Sequence, residues 1–181
     1  VNIIHRPRST GSILKPFLYA SMLDSGELLP QELVGDIPTQ IGGYSPQNFE
    51  NTYQGAVPAD EALYRSLNIP FVLLLRQYGI SRFYQQLQKL QLQSINRAPD
   101  HYGLSLILGG SECTLWELAQ AYTYMATTLN TFTRTGQYSA KGLPKLSYLK
   151  RNPEKESLQQ EKNLFSAGAI YKTFEALTQV N

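Results

Sequence analysis

Cys113 is the only cysteine among the 181 residues. That excludes an internal disulfide and leaves no basis for a cysteine-built metal site. Histidine is almost as scarce: His5 and His101 stand far apart, with no metal-ligand spacing between them. An excess of one charge is missing too. Lys and Arg total 16 against 14 Asp and Glu, a net charge of +2. The basic residues are scattered, so no nucleic-acid footprint is drawn. No apolar run approaches the roughly 20 residues of a membrane-spanning helix. The longest, Phe71–Leu75, covers five residues. No signal-peptide pattern opens the chain, which begins with Val1 rather than Met, and the expectation is a segment of a longer protein.

What is present describes a folded domain. Hydrophobic residues make up 42% and charged residues 17%, a globular rather than a disordered balance. A chain of this length suits one domain that buries about 70% of its unfolded surface. Val1–Ile4 is a β-prone run ended by Arg6-Pro7, a lone strand in need of partners. A helix is expected from Gly11–Ser12 to Leu23, closed by Asp24-Ser25-Gly26, with Pro16 in its first turn. Leu28 to Val57 is rich in Pro, Gly, Gln and Asn and reads as a long ordered loop. Short helices follow over Ala59–Ser66, from Pro70 to Tyr78, and over Ser81–Leu90. Gln91 to Gly110 reads as loop. Thr114-Leu-Trp-Glu117 is a capping-box pattern that starts a helix to about Leu129. Thr131 to Glu161 looks irregular, and Asn163 to Gln179 is a final amphipathic helix. The fold class is therefore mainly α.

The chemistry-bearing pattern is Ser12-Ile13-Leu14-Lys15. Residues three apart share a helix face, so a lysine amine can reach a serine hydroxyl and, if neutral, take its proton. The positive end of a helix favours the negative charge that grows during attack on a carbonyl. The same four-letter pattern recurs as Ser147-Tyr148-Leu149-Lys150, among Pro144, Asn152 and Pro153 with no helix start, and is read as chance. Ser66-Leu67-Asn68 is a second candidate; its bland reading is a helix C-cap followed by a turn residue. Ser94-Ile95-Asn96 has the same letters without that setting.

Context separates these patterns. Arg8-Ser-Thr-Gly-Ser-Ile-Leu-Lys-Pro-Phe-Leu-Tyr-Ala20 closely resembles the nucleophile segment of class A penicillin-binding proteins. Ala62-Leu-Tyr-Arg-Ser-Leu-Asn-Ile-Pro70 resembles their second motif, in its Ser-x-Asn form. Tyr53-Gln-Gly-Ala-Val57, the stretch Tyr102 to Tyr122, and Ala167 to Ala176 continue the likeness in order. Its wording is nearest to the type called 1C. The family's companion Lys-Thr-Gly motif is not matched. Arg134-Thr135-Gly136 mimics it but precedes the final helix, where a helix exit and turn are the expectation.

The resemblance implies the helical subdomain of the penicillin-binding protein and serine β-lactamase-like transpeptidase fold, with little of its central sheet. On it, residues 1–181 are a partial transpeptidase domain, with the glycosyltransferase domain and the C-terminal strands outside the segment. It implies Ser12 as nucleophile, Lys15 as its base, Ser66 as proton relay and Asn68 as a holder of the substrate amide or the lysine. The implied substrate is the D-alanyl-D-alanine end of a peptidoglycan stem peptide, with β-lactams trapping the same serine. No metal or organic cofactor and no nucleic acid is implied. The implied location is the periplasmic face of the inner membrane, with membrane contact only through a preceding part of the parent. The segment by itself is expected to be inactive or weakly active. Two alternatives stay open: a penicillin-sensing domain that uses acylation as a signal, and a non-catalytic structural remnant. Phe83, Trp116, Tyr122 and Cys113 are read as packing residues, and the loop aromatics Tyr44, Phe49 and Tyr53 as either groove lining or loop packing.

Overall fold

The computed structural model describes residues 3–143, 146–147 and 157–180. In chain order its elements are β1 (Arg8–Ser9), α1 (Lys15–Ser25), β2 (Leu33–Asp36), β3 (Gly55–Pro58), α2 (Ala59–Tyr64), α3 (Asn68–Tyr78), α4 (Ile80–Lys89), α5 (Pro99–Tyr102), a 3₁₀ turn (Gly103–Leu108), β4 (Glu112–Cys113), α6 (Leu115–Thr135), β5 (Tyr138–Ser139), β6 (Leu158–Gln159) and α7 (Ala167–Leu177). Helices dominate, as expected. The strands form three two-stranded antiparallel pairs among the described residues: β1 with β4, β2 with β3, and β5 with β6.

Helix α1 is the axis of the core. Every residue from Lys15 to Met22 is buried, a pattern of a helix surrounded on all sides rather than one lying on a surface. It packs against α2, α3, α4 and α7. Phe17, Leu18 and Met22 are fully enclosed, and truncating such a phenylalanine to alanine costs about 3–5 kcal/mol. The helix ends where Gly26 turns left-handed at φ 73° and returns its N–H to Leu23.

Several expectations need correction. The helix begins at Lys15, because tight turns occupy residues 11–14: Ile13 N–H donates to Thr10 and Lys15 N–H to Ser12. Val1 and Asn2 lie outside the described residues, and Ile3 and Ile4 are not strand. Arg6-Pro7 separates them from the pairing segment, and the strand that forms is Arg8–Ser9, set against Cys113 and Glu112. The long loop from Leu28 contains a hairpin, β2 with β3, hidden because Gly35, Gly55 and Pro58 are poor strand formers. The expected loop from Gln91 contains α5 and the 3₁₀ turn. Helix α6 runs past Leu129 to Thr135, where Gly136 caps it at φ 70°. Arg134 and Thr135 are thus its last turn.

Candidate active site

The turn carrying Ser12 is built by two segments distant in sequence. Thr10 N–H donates to the Ser111 carbonyl at 3.0 Å, and the Ser9 hydroxyl donates to the Gly109 carbonyl at 2.9 Å. The approach is close enough to require glycine. Gly109 has φ 96°, and a Cβ there would lie 2.9 Å from the Gly11 backbone. From the other side, the Tyr122 hydroxyl donates to the Ile13 carbonyl at 2.8 Å, while its ring packs on Phe17 at 4.7 Å between centroids. Ser12 is half-buried in this turn. Its carbonyl accepts from Lys15 N–H at 3.0 Å. In such an i, i+3 turn the two side chains eclipse. The Ser12 N–H has no hydrogen-bond partner among the described residues.

Lys15 is buried, with 1% of its surface exposed. Its Nζ lies 2.7 Å from the Ser66 carbonyl oxygen, 3.2 Å from Ser66 Oγ and 2.8 Å from Asn68 Oδ1. The Phe71 ring covers it at 5.6 Å. Burial disfavours the ammonium form and pushes the Lys15 amine down from 10.5 to about 7. No carboxylate forms an ion pair with it among the described residues.

The second motif owes its geometry to a helix end. At the close of α2, Ser66 N–H donates to Leu63 and Leu67 N–H to Ala62. That pair of bonds is a Schellman motif, whose left-handed position is usually glycine. Here Ser66 occupies it at φ 55°. The left-handed turn lets one residue present both its carbonyl and its hydroxyl to Lys15. Asn68 then opens α3, and its Nδ2 donates to the Gln47 carbonyl at 2.9 Å. This bond orients the amide so that Oδ1 faces the lysine.

The structure therefore brings Lys15, Ser66 and Asn68 into hydrogen-bond contact and places Ser12 one tight turn before Lys15. The competing Ser94 serves elsewhere: its N–H donates to Glu117 at 2.8 Å. Of the second Ser-x-x-Lys, Tyr148, Leu149 and Lys150 lie outside the described residues. Phe83 and Cys113 are buried as expected. Tyr122 packs as expected but also holds the Ser12 turn, a role its spacing could not reveal. Phe49 is 97% exposed at a cleft of about 360 Å³ that Asp36, Asn48 and Ser66 also line.

A serine turn thus leads into a buried helix, and a desolvated lysine is held by a Ser-x-Asn turn. The chain belongs to the penicillin binding protein transpeptidase domain family, which it matches over residues 2–181. It is 41% identical to penicillin-binding protein 1C of Escherichia coli K12 over 126 residues, 70% of this chain and 16% of that protein. Among solved structures it resembles penicillin-binding protein 1A of Haemophilus influenzae, with a TM-score of 0.59 and 28% identity over 68% of this chain and 19% of that one. It also shares the fold of Pseudomonas aeruginosa PBP2, with a TM-score of 0.72 and 19% identity over 99% of this chain and 46% of that one. The chain thus spans about a sixth of the length of the curated relative it matches at 41% identity.

Proposed function

We propose that this chain is the part of a peptidoglycan D,D-transpeptidase that holds the nucleophile and its proton-transfer partners. The observation that carries the reading is the buried, carboxylate-free Lys15 in contact with Ser66 and Asn68. A neutral amine keeps two N–H donors and one lone pair. The Ser66 carbonyl and Asn68 Oδ1 can only accept, so they take the two donors. The lone pair is left for a hydroxyl proton.

In the proposed reaction the Ser12 hydroxyl gives its proton to Lys15 Nζ while Oγ bonds to the penultimate D-alanine carbonyl of a stem peptide. Collapse of the tetrahedral intermediate breaks the C–N bond. The leaving D-alanine amine receives the proton through the Ser66 hydroxyl, and Asn68 holds the lysine amine. The amine of a second stem then attacks the Ser12 ester, forms the cross-link and frees the serine. The unbonded Ser12 N–H is one oxyanion donor. A β-lactam would acylate Ser12 by the same route. Residues 1–181 act as part of a transpeptidase domain in this reading, and the parent works at the periplasmic face of the inner membrane. Among the described residues no helix is long and apolar enough to cross a membrane.

The test uses the full-length protein with a D-alanyl-D-alanine donor peptide and an amine acceptor. Release of D-alanine coupled to a new peptide bond supports a transpeptidase. The acylation rate should rise with pH through about 7, as Lys15 loses its proton. A long-lived penicillin adduct without cross-linking would favour the sensor, and no reaction at Ser12 would contradict both.

A further inference from the structure

Behind the second motif lies a buried polar pair that the reaction described above does not use. Asp36, at the end of β2, is 1% exposed, and Asn48, in the loop that follows, is 4% exposed. Asn48 Nδ2 donates to Asp36 Oδ1 at 2.6 Å and to the Thr52 carbonyl at 3.0 Å. The other Asp36 oxygen accepts from Gln54 N–H at 3.0 Å. Asn48 Oδ1 in turn accepts from the N–H groups of Asn68 and Ile69, at 3.0 and 3.3 Å.

The last two bonds are a helix cap supplied from another part of the chain. Leu67, the residue at the capping position of α3, has no side chain able to accept. Without Asn48 both N–H groups would lose their acceptor, and the buried one on Ile69 would cost about 1–3 kcal/mol. A hydrophobic cap residue is tolerable only because the loop fills the role. The same loop supplies the Gln47 carbonyl that orients the Asn68 amide. Asn68 is thus gripped at its backbone and at its side chain by adjacent residues, and its Oδ1 is left pointing at Lys15. Asp36 fixes which way the Asn48 amide faces, because a carboxylate only accepts. A reversed Asn48 amide would set a donor against the N–H groups of α3.

We propose that Asp36 and Asn48 are positioning residues for the acyl-transfer site, which lock the Asn68 amide against Lys15 through the start of α3. The proposal rests on the functional reading above. It predicts that the pair acts on the chemical step rather than on substrate capture. A displacement of about 1 Å at a catalytic group can cost about 100-fold in rate.

The test follows acylation of the full-length protein by a fluorescent penicillin at about pH 8, well above the Lys15 transition. Asn48→Ala should lower the saturating acylation rate by about 10–100-fold, while the half-saturating concentration moves little. Asn48→Asp places two carboxylates face to face and should be comparably slow. Adding Asp36→Asn to Asn48→Asp restores a donor–acceptor pair with the roles exchanged. An aspartate at 48 still accepts from both α3 N–H groups, although its second oxygen then faces the Thr52 carbonyl as acceptor against acceptor. This double variant should recover part of the rate lost in Asn48→Asp, and a role confined to stability would give no such recovery in molecules shown by circular dichroism to be folded. The proposal is overturned if folded Asn48→Ala acylates at the wild-type rate, or if the double variant stays as slow as Asn48→Asp. Wild-type protein that takes no penicillin at Ser12 overturns the functional reading, and this proposal with it.

Discussion

Ser66 is where stability and chemistry pull apart. A left-handed conformation costs a residue with a side chain about 1 kcal/mol or more relative to glycine, and such strain gathers at functional sites. At φ 55° in a Schellman motif, glycine is the structurally favoured residue. Ser66→Gly should therefore raise stability by about 1 kcal/mol and still slow acylation, because the backbone contact to Lys15 survives and the hydroxyl does not. Thermal unfolding and penicillin labelling on the same variant check both halves. A stabilised variant with an unchanged labelling rate would remove Ser66 from the proton path. The Ser-x-Asn letters and the bland C-cap reading were both legible in sequence, and both hold structurally: the residue is a helix cap that also faces the lysine. Asp36 and Asn48 were not legible. Apart from Thr52, their partners lie 12 to 21 residues away, and a buried Asp–Asn pair in a Pro- and Gly-rich loop has no periodicity to betray it.

At the scale of elements, the helices were readable where their ends carry chemistry. Thr114 and Glu117 form both halves of the capping box, and Gly26 and Gly79 stop their helices where expected. The end of α6 was misjudged because Thr127, Thr131, Thr133 and Thr135 have weak helix propensity. Inside the helix, Thr127 and Thr135 donate their hydroxyls to carbonyls four residues back, which satisfies them without leaving the helix. The short strands were invisible for another reason. A two-residue pair such as β1 with β4 has no alternation to read and exists only through tertiary contact. That contact is the element on which the Ser12 turn depends. Gly109→Ala adds a Cβ that would meet the Gly11 backbone at 2.9 Å and disfavours φ 96°. It should destabilise the domain by about 1–3 kcal/mol and slow acylation by displacing the Ser12 turn. Alanine accepted there with wild-type melting and labelling would mean that the 109–113 segment does not support the turn.

For the whole molecule, the buried lysine ties folding to pH. Lys15 ionises at about 7 in the folded chain against an ordinary 10.5. Between those values the unfolded state binds more protons, so stability rises with pH across that window. Cys113 works in the opposite sense, since burial pushes its thiol from 9.0 up to about 12. Above 9.0 the unfolded state releases a proton that the folded state keeps, and stability falls. The domain should therefore gain about 2 kcal/mol between pH 7 and 9 and then level off. Urea unfolding across that range measures it, and Lys15→Met should flatten the rise. A slope unaffected by Lys15→Met would place the titrating group elsewhere. The most direct measurement of the central claim is peptide mapping by mass spectrometry after penicillin treatment of the full-length protein. One penicilloyl adduct is expected on the peptide containing Ser12, lost in Ser12→Ala and formed at least 10²-fold more slowly in Lys15→Ala. An adduct on another residue, or undiminished labelling of Ser12→Ala, would contradict it.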